Sequence, residues 1–204
     1  NLASNQVESS VLGLRPRPSA CSAAATTLAT SLQPGTGLLS LPTGNATLQL
    51  YNTQHHRHVA LLQVAPRNDV SATDGEAAPA PQVAHAVYTH DGKCLATVDL
   101  RLDAGPYGTS EASLKFWDAV PGTGSTPFVL NTLVDDPHRG PVTCVVAHPS
   151  EPLIVTAGAG NALPALNPED SLGLAMSVSS SVTTSEPEFK VWERVAGGRR
   201  PGGE

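Results

Sequence analysis

Aromatic side chains are scarce in this 204-residue sequence, which has two tryptophans, three tyrosines and three phenylalanines, or 4% of the chain. Its apolar content comes mostly from Ala, Val and Leu. Charge is also thin at 15%, with 12 basic against 18 acidic residues. A net charge of −6 gives no whole-chain reason to expect direct nucleic-acid binding, because a basic surface is what neutralises phosphates. It leaves room for a protein that sits inside a ribonucleoprotein and touches only other proteins. The three cysteines, Cys21, Cys94 and Cys144, are odd in number and far apart, and no pair has metal-ligand or redox spacing. No apolar stretch approaches the roughly 18 residues of a membrane helix, and no charged-then-apolar leader opens the chain. The expectation is a soluble intracellular protein with no membrane partner. A start at Asn1 rather than Met suggests a piece of a longer chain.

Enzyme motifs are missing as well. There is no Gly-x-Ser-x-Gly elbow, and the cysteines lack a nucleophile's surroundings. The Gly-rich stretches Gly122–Ser125 and Gly158–Gly160 have neither the Lys of a phosphate loop nor a strand-to-helix setting. We expect no catalysis, no cofactor and no small-molecule substrate. His55-His56-Arg57-His58 reads as a solvated turn. Adjacent histidines on a strand point to opposite faces, and no Cys or carboxylate cluster completes a metal site. The sequon Asn45-Ala46-Thr47 reads as idle in an intracellular setting.

Turn formers are plentiful. Gly and Pro number 18 each, which is turn-rich but short of the roughly 25–30% of a low-complexity chain. Between the turns three stretches resemble one another: Thr47–Asn52 (TLQLYN), Ser113–Asp118 (SLKFWD) and Glu188–Glu193 (EFKVWE). Each alternates with the two-residue period of a strand and ends in an aromatic followed by a polar or acidic residue. Tyr51 to Trp117 is 66 residues and Trp117 to Trp192 is 75. Polar, Gly/Pro/Ala-rich inserts at Asn68–Pro81, Asp103–Ser110 and Ala159–Pro187 bury too little apolar surface to offset their ordering entropy. Removing them leaves a repeat of about 40–45 residues.

Within each repeat the strand order recurs. Val83–Tyr88 and Cys94–Leu100 flank the turn His90-Asp91-Gly92, and Val142–His148 and Leu153–Gly158 flank Pro149–Pro152. Each hairpin leads into an aromatic-ending strand, and a fourth strand follows at Arg57–Val64 and Thr126–Val134. The first unit opens with a weak strand near Cys21–Leu28 and continues at Gly37–Leu41. Four antiparallel strands per unit predict an all-β fold, a partial β-propeller of about three four-stranded blades with long loop insertions. The expected organisation is a poorly structured lead-in at 1–20, blades at 21–64, 83–134 and 142–193 (the last without its outer strand), insertions at 65–82, 103–111 and 159–187, and a flexible tail at 196–204.

These strands resemble WD repeats. That family pattern places a His before the innermost strand, Ser or Thr in the second, Asp in the next turn and Trp-Asp at the end of the third. The buried groups then satisfy one another's hydrogen bonds where no water reaches. On the matching positions the resemblance implies His138, Thr156 and Trp192 as blade-holding residues of the third unit, with the turn Asp displaced by the insertion. It implies Thr97, Trp117 and Asp118 in the second unit, where no His stands at the expected place, and Tyr51 alone in the first.

A closer resemblance spans Leu38 to Trp192. It is carried by LQLYN, DGKCLATVDLR, SLKFWD, FVLNTLVDDPH (Phe128–His138), LIVTAG and EFKVW, and it is to the WD repeat-containing protein 75 family. The insertion at Ala159–Pro187 is longer than that family leads one to expect. The resemblance implies a non-catalytic scaffold subunit of the nucleolar small-subunit processome, acting in pre-ribosomal RNA transcription and processing. Its partners would be other processome proteins and a pre-ribosomal ribonucleoprotein, with direct RNA contact left open. Two alternatives share the fold: a WD adaptor in another complex, such as a ubiquitin-ligase receptor or trafficking scaffold, and a propeller with a small-molecule site in its channel. The Ser/Thr tract Ser177–Ser185 is a place where phosphorylation would add negative charge.

Overall fold

The computed structural model describes residues 13–14, 30–44, 46–66, 81–102, 110–120, 127–160 and 186–194. Every regular element among them is a β-strand. The expected opening strand at Cys21–Leu28, most of the three insertions, the tract Ser177–Ser185, Asn45 and Cys21 lie outside the described residues.

Among the described residues, eleven strands form three antiparallel sheets. The first contains β1 (Ser31–Leu32), β2 (Leu38–Pro42), β3 (Thr47–Asn52) and β4 (Arg57–Gln63), in that spatial order. The second contains β5 (Gln82–Tyr88), β6 (Cys94–Leu102), β7 (Ser110–Ala119) and β8 (Phe128–Asp135), also in chain order. The third has β9 (Val142–Ala147), β10 (Leu153–Gly158) and β11 (Glu188–Glu193), with β10 in the middle.

The turns explain why neighbours in sequence become neighbours in the sheet. Between β5 and β6 the Thr89 hydroxyl donates to Asp91 Oδ1 at 2.7 Å, and the same oxygen accepts from Lys93 N at 3.1 Å. Gly92 follows at φ +66°, where a side chain would be strained. Between β3 and β4 the Asn52 carboxamide accepts from the backbone N–H of Gln54 and of His55, both at 2.9 Å. Between β9 and β10 His148 Nδ1 accepts from Glu151 N at 3.0 Å. Short side chains thus close each hairpin and set its register.

The sheets stack face to face. Leu38, Leu48, Leu50, Ala60 and Leu62 of the first pack on Val83, Tyr88, Leu95, Trp117 and Phe128 of the second. Ala96, Val98, Leu114 and Phe116 on the other side of the second pack on Val142, Val145, Ile154 and Trp192 of the third. The second sheet is therefore covered on both faces, and β6 is buried without a break from Cys94 to Asp99. Leu48, Leu50, Leu95 and Leu114 are fully enclosed, each stabilising the stack by about 1.5–3 kcal/mol. The inner strands β5 and β9 meet where His85 Nε2 lies 3.4 Å from the Val142 carbonyl, and Gln33 Nε2 donates to Gly92 O at 2.6 Å across the first two sheets.

Candidate functional site: the interlocks of the second and third sheets

The third sheet holds a four-residue network. Thr156 on β10 lies opposite Lys190 on β11, and Trp192, opposite Ile154, reaches it diagonally. Trp192 Nε1 donates to Thr156 Oγ1 at 2.9 Å, and Thr156 Oγ1 lies 2.7 Å from His138 Nε2. His138 belongs to the β8–β9 connection, and its side chain has no exposed surface. Its other ring nitrogen, Nδ1, is 3.1 Å from Glu188 Oε1. One proton arrangement satisfies every group: the indole donates to the hydroxyl, the hydroxyl to Nε2, and Nδ1–H to the carboxylate. Partial desolvation opposes ionisation of Glu188, but the His138 hydrogen bond and the nearby Lys190 hold its carboxyl below the usual carboxylate range.

Gly158 makes room for this network, and Gly140 makes room for the backbone that follows Gly158. A Cβ on Gly158 would sit 2.6 Å from both Cβ and Cγ of His138, and one on Gly140 would run into the Ala159 carbonyl oxygen. Lys190 Nζ donates to Pro137 O at 2.6 Å, tying β11 back to the residue before His138. The carboxylate that the sequence reading finds missing from the turn is thus supplied by Glu188, from the strand that follows the insertion. Its signal was its place four residues before Trp192, on the same face of the strand.

The second sheet repeats half of this arrangement. Trp117 Nε1 donates to Thr97 Oγ1 at 2.9 Å, again on the diagonal. No histidine joins them. Thr97 lies opposite Lys115 as Thr156 lies opposite Lys190, and Asp99 lies opposite Ser113 as Gly158 lies opposite Glu188. Asp99 thus stands where the third sheet has the glycine that admits an imidazole. Lys115 Nζ turns inward and donates to Asp99 Oδ1 at 2.5 Å, with side-chain exposures of 8% and 10%. An ion pair fills the histidine's place. Burial pushes the Asp99 carboxyl up, and the Lys115 hydrogen bond and charge only partly offset it.

Asp118 works across sheets. Its carboxylate accepts from Asn131 Nδ2 at 2.5 Å on β8 and from Arg194 Nε at 3.0 Å, just past β11. Phe116 and Trp192 add an aromatic contact at this boundary, with ring centroids 5.8 Å apart. Tyr51 is buried in the first sheet, opposite Leu39, and Leu41 occupies the register position of Thr97. Of the residues singled out from sequence, the fold gathers His138, Thr156 and Trp192 in one place and Thr97 and Trp117 in another. Asp118 joins these two sheets, and Tyr51 stands apart in the first. The thiol of Cys94 is buried and pushed up to about 11, chiefly by desolvation, while Cys144 is exposed. His55, His56, Arg57 and His58 are all exposed on the β3–β4 turn and the start of β4.

Stacked antiparallel sheets, locked by a Trp–Thr pair and in one case completed by His and a carboxylate, define a WD-repeat β-propeller. The profile of the WD repeat-containing protein 75 second β-propeller matches residues 31–171, and the chain belongs to that family. Among solved structures, the crystal structure of the Myceliophteria thermophila Cps50 (Swd1) β-propeller domain is similar at 10% identity and a TM-score of 0.30. The match covers 72% of this chain and 56% of that one, so this chain spans little more than half of that domain's length. No curated protein sequence matches this chain.

Proposed function

We propose that the chain is a non-catalytic scaffold of ribosome biogenesis, working in the nucleolus within the small-subunit processome during pre-ribosomal RNA transcription and processing. Membership of the WD repeat-containing protein 75 family carries this reading. The architecture supports it: hydrogen bonds and ion pairs that would serve chemistry elsewhere here hold the sheets together, within the third at Thr156 and His138, within the second at Thr97, and between the two at Asp118. What the protein offers outward is a rigid set of strand edges and loop tips, the surfaces on which propellers carry binding. The partners are other processome proteins within a pre-ribosomal ribonucleoprotein.

The test is localisation and co-purification of the tagged full-length protein. Accumulation in the nucleolus, with recovery of processome subunits and pre-ribosomal RNA, is the expected result. Exclusion from the nucleolus, or recovery of an unrelated partner set, overturns the proposal.

A further inference from the structure

We infer that the outer edge of the first sheet, strand β4, is a docking edge for an extended peptide with alternating apolar residues and an acidic C-terminal end. Three observations meet on this strand. Within its sheet β4 pairs only with β3, so over Arg57–Leu62 its other edge has no partner strand among the described residues. Val59 and Leu61, two residues apart and therefore on one face, are 41% and 55% exposed, while Ala60 and Leu62 between and beyond them are buried in the stack. His55 and His56 of the preceding turn and Arg57 and His58 at the start of the strand are all exposed, and among the described residues no carboxylate pairs with any of them. The turn that presents these four is fixed in shape by the Asn52 bonds, by Thr53 Oγ1 donating to Gly37 O at 2.8 Å, and by a left-handed backbone at His56.

Charge separates this edge from the other two outer edges, β8 and β11. β8 exposes Val129, Leu130 and Leu133 and opens with Phe128-Val129-Leu130-Asn131, none of them basic, while β11 exposes Phe189 and Val191 but opens at Glu188. Laid antiparallel, a carboxylate-rich C-terminal end meets Glu188 at β11 and no basic residue at the start of β8, whereas at β4 it meets Arg57. A strand added antiparallel to β4 brings its C-terminal end beside Arg57 and the histidines that flank it, and its apolar side chains fall on the Val59–Leu61 face. The inference rests on the scaffold reading of the chain. Because its test is made in vitro, it can fail while the nucleolar assignment survives, and the reverse.

The probe is a fluorescein-labelled peptide of about ten residues, alternating valine with serine and ending in a run of glutamates. Binding to the full chain is followed by anisotropy and by amide hydrogen exchange. Expected are saturable binding that weakens with salt, new protection confined to β4, and affinity about tenfold weaker for Arg57→Glu and for Leu61→Asp. Both positions are exposed, and an unchanged melting temperature will show that each variant folds. Absence of binding, equal binding of a peptide ending in lysines, protection elsewhere than β4, or indifference to both substitutions overturns the inference. It is also overturned if a single-stranded RNA oligonucleotide occupies this turn and excludes the peptide. Concentration-dependent self-association that protects β4 without the probe would likewise give the edge to a second copy and overturn it.

Discussion

The second and third sheets fill the same three-dimensional position by different chemistry. In the third, Gly158 leaves a gap into which His138 inserts, joined to Thr156 on one side and Glu188 on the other. In the second, Asp99 and Lys115 fill that gap as a buried ion pair beside the Trp117–Thr97 bond. The first solution places a hydroxyl and an imidazole in the interior and leaves the carboxylate near the surface. The second places two charges inside, where desolvation offsets much of their attraction. The Trp–Thr diagonal is common to both, which identifies it as the constant part of the lock. What completes it is free to vary with the size of the residue at the Gly158 or Asp99 position.

The largest expected effect falls on the shared part. Trp117→Ala should destabilise the protein by about 3–5 kcal/mol, as for a large buried aromatic. Trp192→Ala should cost less, because Trp192 is only half-buried. Urea unfolding of the two variants measures the gap, and equal losses would mean that the two locks carry the same load. Next comes Lys115→Met, which strands a buried carboxylate at a cost of about 3 kcal/mol.

The two locks should also respond to acid with opposite sign. The carboxyl of Asp99 is raised, so the folded state binds its proton more tightly than the unfolded chain does. Its contribution to stability is present in acid and is lost as pH rises through and above the ordinary carboxylate range. The carboxyl of Glu188 is lowered, so its contribution is present above that range and is lost as pH falls through its depressed value. Acidification should therefore restore much of the stability lost in Lys115→Met, while loosening the β10–β11 amides in the wild type. Hydrogen exchange followed between pH 7 and pH 3 reads both effects, and parallel behaviour of the two sheets would contradict this difference.

Removal of a single hydroxyl comes lower in the order. Thr156→Val leaves two buried groups unsatisfied, the Trp192 indole and His138 Nε2, whereas Thr97→Val leaves one, the Trp117 indole. With about 1–3 kcal/mol for an orphaned buried group, Thr156→Val should be the more destabilising, as read by thermal or urea unfolding. Glu188→Gln should have the smallest effect, since the group lies at the surface and an amide oxygen still accepts from His138.

Strand placement was largely legible in the sequence. The two-residue alternation and the aromatic-plus-polar endings of TLQLYN, SLKFWD and EFKVWE lie within β3, β7 and β11, and the Asp-Gly turn sits between β5 and β6. The chemistry completing each lock was less visible. In CLATVDL the Asp reads as an exposed charge, because its burial depends on a second sheet covering that face and on Lys115 arriving from the next strand. Glu188 was obscured by the long insertion before it: the family pattern seeks the carboxylate in a turn, and here a strand residue reaches the same imidazole. Arg194 reaches Asp118 across 76 positions, a pairing that strand periodicity does not encode.

Thr156 couples His138 to Trp192 inside the third sheet. A double-mutant cycle on His138→Ala and Thr156→Val, read by urea unfolding at neutral pH, tests this directly. A coupling of about 1–2 kcal/mol is predicted for two groups sharing one buried hydrogen bond. Additivity within about 0.3–0.5 kcal/mol, as for distant independent sites, would contradict it.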